Sequence, residues 1–194
     1  MDKLRLAIFA SGSGSNARNI INHFRGHLLV EVGFVLTNRS DSPIILWCND
    51  NDIDVIVMDN LMVDDGDLLS GVCLSGFIDY IILAGYLRRI PLGLISSYSN
   101  RIINIHPSLL PKFGGKGMYG DNVHRSVKDS GDFQTGITIH YIDENFDEGL
   151  YIAQFYTLLD VSDSVEDIRD KVQDLESRYF PLVIENTIIK GGLI

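Results

Sequence analysis

Leu4-Arg5-Leu6-Ala7-Ile8-Phe9-Ala10, then Ser11-Gly12-Ser13-Gly14-Ser15-Asn16, then Ala17 to Phe24, is the stretch that decides the fold. The first seven residues are apolar apart from Arg5, the pattern of a strand buried on both faces of a parallel sheet. The next six are glycine and small polar residues, which turn the chain sharply. Ile20, Ile21 and Phe24 then recur with helical spacing. Strand, glycine-rich turn and helix form a unit in which backbone N–H groups at a helix start can cradle a phosphate. The loop is neither a P-loop nor a GxGxxG dinucleotide fingerprint. On its own it reads more simply as a conformational turn.

Outward from this unit the same alternation repeats. Val30–Leu36, Asp54–Met58 and Phe77–Ala84 read as strands. Pro43–Asn51, Leu68–Ser75 and Pro91–Tyr98 read as helices, the last begun by a proline in its first turn. Short apolar strands alternating with helices of about ten residues predict an α/β fold with a doubly wound, mostly parallel sheet and helices on both faces. Ligands of such sheets bind beyond the carboxyl ends of the strands. The Ser11–Asn16 loop, the Tyr86–Ile90 exit and the segment Asn104–Pro111 would all open on that edge. Asp64-Asp65-Gly66-Asp67 reads as a solvated acidic loop, since it lacks the ligand spacing of a calcium loop.

Of the 194 residues, 45% are hydrophobic and 22% charged, values of a globular domain that needs no disulfides. A net charge of −10 argues against nucleic acid and against an anionic membrane surface as partners. No apolar run approaches the ~18 residues of a membrane span, and the first apolar run is too short for a signal peptide. Cys48 and Cys73 lack metal or redox spacing and read as buried thiols, in keeping with a reducing cytoplasm.

Arg101-Ile102-Ile103 ends a further buried strand and leads into Asn104-Ile105-His106-Pro107-Ser108-Leu109-Leu110-Pro111. Asn104 and His106 are two residues apart, so on an extended chain an amide and an imidazole leave the same face. Two such donors can hold a developing oxyanion; equally, Asn104 can end a strand and His106 can be a satisfied core histidine. Lys112 to Gly120 is a glycine-rich loop with two lysines, either a mobile element of the same edge or a linker. Asn122–Lys128 reads as a helix. Gly136–Ile142 alternates with period two and pairs with Leu150–Leu158 as an antiparallel addition. The turn between them, Asp143 to Gly149, holds four carboxylates, one of which could orient His106. His140, on the alternating strand, reads as structural. Ser164–Ile189 reads as one long C-terminal helix with a Ser-x-x-acid capping box and a kink at Pro181, burying Leu175, Tyr179, Leu182 and Val183.

Together the SGSGSN loop at Ser11–Asn16, LAGYLR at Leu83–Arg88, NIHPSLLPKF at Asn104–Phe113 and the turn ending Asp147-Glu148-Gly149 resemble the folate-dependent phosphoribosylglycinamide formyltransferase family. The resemblance runs from about Leu6 to Ile189. It implies a single formyltransferase domain over 1–194, with a phosphate-loop half to about 100 and a catalytic, folate-turn half from about 101. It implies formyl transfer from 10-formyltetrahydrofolate to the amine of glycinamide ribonucleotide in purine synthesis, without a metal, by a cytoplasmic monomer or homodimer. Asn104, His106 and Asp147 match the family's catalytic residues, and Gly14, Ser15 and Asn16 its loop for the substrate phosphate. Gln173 and Glu176 match its contacts to the substrate ribose and amide. Arg88 and Ile90, with Glu144 and Asp147, match the folate pocket. The Gly115–Asp121 region looks longer than in short members of the family, Asn122 stands where some have histidine, and Leu150 replaces a residue often proline. Methionyl-tRNA formyltransferase, a related formyl-folate user, grips tRNA with a basic surface, which the acidity of this chain disfavours.

Overall fold

The computed structural model describes residues 2–191. Among the described residues seven strands are hydrogen-bonded in the order β3-β2-β1-β4-β5-β6-β7, and packing divides the chain into two compact units, one up to Ile103 and one from Asn104.

In the first unit β1 (Leu4–Phe9) lies parallel to β2 (Val30–Thr37) on one side and to β4 (Tyr80–Leu83) on the other, and β2 lies parallel to β3 (Val55–Val57). Strand order therefore reverses at β1, between β2 and β4, and the right-handed rule for crossovers turns that reversal into two layers of helices. The helices are α1 (Ser15–Phe24), α2 (Pro43–Asp50), α3 (Asn60–Asp64), α4 (Gly66–Ser75) and α5 (Leu92–Ser97). Leu6, Ala7, Ile8, Phe9 and Ala10 are fully buried, as a central strand covered on both faces requires. The register of β1 on β2 slips between Leu6 and Ala7, with Gly33 as the extra residue. A Cβ there would come within 2.8 Å of the Ile78 side chain, so glycine fits where a larger residue would push the bulge apart.

Strand β5 (Ile102–His106) carries the chain into the second unit. There follow α6 (Asp121–Ser130), β6 (Gln134–Tyr141), β7 (Tyr151–Leu158) and α7 (Val165–Lys190). β6 and β7 pair antiparallel, as the alternating pattern predicts. The Ser164 hydroxyl accepts from the Asp167 N–H while the Asp167 carboxylate accepts from the Ser164 N–H, so the capping box forms.

Several boundaries differ from the sequence reading, each for a local reason. The Asp64–Asp67 stretch is not a loop. Asp64 ends α3 and pairs with Arg88, while Asp65 caps α4 by accepting from the N–H groups of Asp67 and Leu68. Pro91 is the N-cap of α5 rather than a residue of its first turn. Phe77 is not in β4; it has a left-handed backbone (φ 57 is reached elsewhere, φ 52 here) just after the α4 cap Gly76, and its ring is exposed. β5 continues through Asn104 to His106 instead of stopping at Ile103. α7 runs unbroken past Pro181 to Lys190, and Leu182 faces solvent while Phe180, Val183 and Ile184 are buried. Tyr179 stacks on Phe155 of β7 at 3.9 Å between ring centroids.

Candidate active site

In the first unit the loops after β1, β2 and β4 are tied together at the carboxyl ends of their strands. The Ser11 hydroxyl donates to Asn38 Oδ1 at 2.7 Å and accepts from the Leu87 N–H at 3.1 Å, and the Ser11 N–H donates to the Gly85 carbonyl. The hydroxyl of Ser42, the N-cap of α2, donates to the Gly12 carbonyl. Gly14 is the N-cap of α1, with φ 77 and no side-chain cap, and a Cβ there would lie 2.6 Å from Ile44 Cδ1. Only glycine takes that turn without strain. Ser15 and Asn16 are then the first two residues of a ten-residue helix, where backbone donors and the helix dipole favour an anion. Arg88 follows β4 with its guanidinium on Asp64, and Ile90 is buried.

In the second unit β5 runs through Asn104 to His106, so their side chains leave the same face of the strand. The segment after them is pinned by β6 and β7. The Thr138 hydroxyl donates to the Ser108 carbonyl and accepts from the Leu110 N–H, and the Gln154 amide donates to the Leu110 carbonyl. The ring of His106 is 4% exposed. Its Nε2–H donates to the Phe113 carbonyl at 2.8 Å, and its Nδ1 lies 3.5 Å from Asp147 Oδ2. Both nitrogens thus face oxygen acceptors, and only the doubly protonated ring can donate to both. The same Asp147 oxygen accepts from the Gly115 N–H at 2.9 Å. Phe113 and Asp147 both hold left-handed backbones with φ 57. Strained residues of this kind gather where surrounding structure fixes a functional geometry.

The β6–β7 turn is shaped by close approach. A Cβ on Gly149 would sit 1.8 Å from the Tyr141 carbonyl, so glycine is required for the chain to fold back beside β6. Asp143 closes an Asx turn on the Asn145 N–H, and Glu144 is exposed. Gln173 and Glu176 lie one turn apart on α7, the first exposed and the second half-buried. Asn122 is exposed and donates to the Gly117 carbonyl.

His140 reads from sequence as structural, and the structure brings it into the same group of side chains. His140 is fully buried on β6, two residues beyond Thr138 and on the same face, and its Nε2 is 3.1 Å from Asn104 Nδ2 and 3.8 Å from Asp147 Oδ1. Burial, opposed chiefly by its Tyr141 backbone contact and by Asp147, holds its pKa below the ordinary 6.5. His124 of α6 is also buried, its Nδ1 finds no protein partner, and burial lowers its pKa likewise, with His106 adding to the effect. Period-two spacing from Thr138 was the available signal for His140, but it does not say which side chains lie opposite. Among the described residues no group of three or more His, Cys, Asp or Glu side chains is placed to hold a metal ion. Cys48 and Cys73 are buried free thiols, their pKa values pushed up by burial to about 11 and about 12.

The first unit thus offers backbone donors at a helix start, the second a half-buried amide, a buried imidazole and a half-buried carboxylate, and family comparison gives this chain its class. The formyl transferase family model matches residues 4–184, and the chain belongs to that family. Phosphoribosylglycinamide formyltransferase of Bacillus subtilis is 30% identical over 189 residues, covering 95% of this chain and 94% of that protein. The chloroplastic phosphoribosylglycinamide formyltransferase of Arabidopsis thaliana is 36% identical over 186 residues, covering 93% of this chain. The chain spans 64% of that plant protein and 60% of its Vigna unguiculata counterpart. A crystal structure of phosphoribosylglycinamide formyltransferase from Bacillus halodurans superposes with a TM-score of 0.87 at 33% identity, covering 97% of each chain.

Proposed function

We propose that the protein transfers the formyl group of 10-formyltetrahydrofolate to the amine of glycinamide ribonucleotide, as a step of purine synthesis. The observation that carries this reading is the grouping of the buried His106 with the half-buried Asn104 and Asp147, Asp147 Oδ2 lying 3.5 Å from the His106 ring, in a chain of the formyl transferase family. The amine attacks the formyl carbon, and the carbonyl oxygen becomes an oxyanion. Asn104 donates to that oxygen, and so does His106, once its Nε2–H leaves the Phe113 carbonyl for the substrate. Asp147 holds the imidazolium and helps carry a proton from the attacking amine to the departing folate nitrogen as the old carbon–nitrogen bond breaks. No residue becomes covalently attached, so neither buried thiol takes part.

Gly14, Ser15 and Asn16 take the substrate phosphate, and Gln173 and Glu176 its ribose and amide. The backbone around Arg88 and Ile90, with Glu144 and Asp147, takes the folate. On this reading 1–194 act as one catalytic domain, as a monomer or homodimer in a reducing, cytoplasm-like compartment. No nucleic acid or membrane is needed as partner, and among the described residues no helix is long and apolar enough to cross a membrane. The test is a spectrophotometric assay that follows conversion of the formyl-folate with glycinamide ribonucleotide supplied or omitted. Conversion that requires the ribonucleotide is the expected result. Binding of both compounds with no conversion would make the protein a ligand-binding module, and conversion without the ribonucleotide would make it a hydrolase.

A further inference from the structure

The contacts of His140 constrain one another more tightly than a core histidine requires. Its Nδ1 lies 2.9 Å from the carbonyl oxygen of Tyr141, an acceptor with no hydrogen to give, so Nδ1 carries a hydrogen and donates it. The ring has no exposure to water, and a second proton would leave a buried cation whose nearest carboxylate oxygen, Asp147 Oδ1, is 3.8 Å away, beyond hydrogen-bond reach. The charged groups around it are His106, Asp143 and Asp147, and Tyr151 is its register partner on β7. The neutral ring that results has a bare Nε2, which can only accept. At 3.1 Å from it stands the side chain of Asn104. A terminal amide can turn either its oxygen or its nitrogen to a neighbour, and the two look alike in shape. Facing a bare ring nitrogen, only the nitrogen makes a bond.

We propose that His140 is a positioning residue: held as the Nδ1–H tautomer by the Tyr141 carbonyl, it accepts one amide hydrogen of Asn104 and leaves the second as a donor for the reacting carbonyl. Without that acceptor the Asn104 amide is free to rotate by half a turn. An oxygen would then stand where the developing oxyanion needs a hydrogen. His140 thus sets the polarity of a group it does not itself present to substrate, and Thr138, on the same face of β6, fixes the chain just beyond His106 by its bonds to Ser108 and Leu110. β6 thus supports β5 and the segment after it from two successive inward positions.

The inference rests on the formyl-transfer reading for its consequence, but not for its chemistry, and the two can be tested apart. H140L keeps volume and removes the acceptor. Turnover should fall by roughly 10²-fold, the usual effect of losing one oxyanion donor, with both KM values within about threefold of wild type, because the loss is felt only in the transition state. H140Q, whose side-chain oxygen can accept the same hydrogen, should recover most of that turnover. Full turnover in H140L, or an equal loss in H140Q and H140L when both fold, overturns the proposal. Nitrogen-15 spectra of the wild-type histidine rings give a readout independent of catalysis. The Nδ1–H tautomer of His140 at neutral pH, with its bare Nε2 signal moving in N104L, is expected. The Nε2–H tautomer or an imidazolium overturns the proposal even if H140L fails to fold. A wild-type protein that transfers no formyl group would refute the proposed function and leave the ring spectra to decide the pair.

Discussion

The glycine turn after β1 and the turn between β6 and β7 reach a defined shape by opposite means. The first is built from backbone. Gly14 takes a left-handed conformation against Ile44, and serine hydroxyls at positions 11 and 42 fasten the loop from either side, with no charged side chain between Ser11 and Asn16. The second is built around a charge. Asp147 is itself left-handed, its carboxylate is 15% exposed, and its oxygens are directed at a backbone N–H and two histidine rings. A backbone cradle suits a ligand that brings its own charge, such as a phosphate. A held carboxylate suits a step in which charge appears and a proton must move. On the proposed function the difference would separate binding from chemistry, and substitutions in the two turns should divide in the same way.

The largest effect belongs to the charged turn. Asp147→Asn keeps the shape and removes the charge that faces His106, so turnover should fall by about 10²–10⁴-fold, while thermal unfolding stays near that of the wild type. Steady-state kinetics alongside a melting curve check both halves of the statement. Near-normal turnover in a folded variant would take Asp147 out of the mechanism and erase the contrast.

In the backbone turn the first response should be in stability. Gly14→Ala forces a Cβ to within 2.6 Å of Ile44 at φ 77. The left-handed conformation alone costs about 1–2 kcal/mol for a residue with a Cβ, and the displaced isoleucine adds to it. Denaturant unfolding at constant slope measures the sum. Asn16→Ala leaves the turn standing and should act on binding. The KM for the ribonucleotide should rise by roughly tenfold, about 1.4 kcal/mol of lost contact, with that for folate nearly unchanged. Equal rises in both would contradict a phosphate cradle here.

Legibility in the sequence followed the same line. Where conformation is dictated by local pattern, reading succeeded: the buried β1 run, the glycine turn, the β6–β7 pairing and the Ser164–Asp167 capping box are all as predicted, although β6, alternating in sequence, is buried on both faces from Thr135 to His140. It failed where a polar residue has two uses. Asp64, Asp65 and Asp67 are solvated as they look, yet they are not a loop: Asp65 caps a helix and Asp64 meets Arg88. Phe77 looks like strand, but the end of α4 turns it out into solvent. At the site, spacing put Asn104 and His106 on one face, and resemblance to a family supplied Asp147. Neither could supply His140, because its meaning lies in a partner 36 residues away and in which of two ring nitrogens that partner meets.

The smallest expected effect is a pH response confined to the second unit. Burial holds the pKa of His124 below its ordinary 6.5, and its Nδ1 has no protein partner; Asp121 opposes the shift, while Arg169 and His106 reinforce it. The unfolded chain binds a proton near 6.5 and the folded one only at lower pH, so the unfolded state holds more protons in between, and stability rises with pH there. Its contribution is complete above about pH 6.5 and is lost as pH falls through that value towards the folded pKa. His140, shifted the same way, adds to this slope. Replacing His124 by glutamine removes one of the two titrations, so the difference in unfolding free energy between about pH 7.5 and 5.5 should shrink but not vanish. The Asn16→Ala chain, altered in a turn with no titrating group, should keep the wild-type difference. If that variant flattened the response as much as the histidine replacement, the acid sensitivity would have to be sought in the first unit instead.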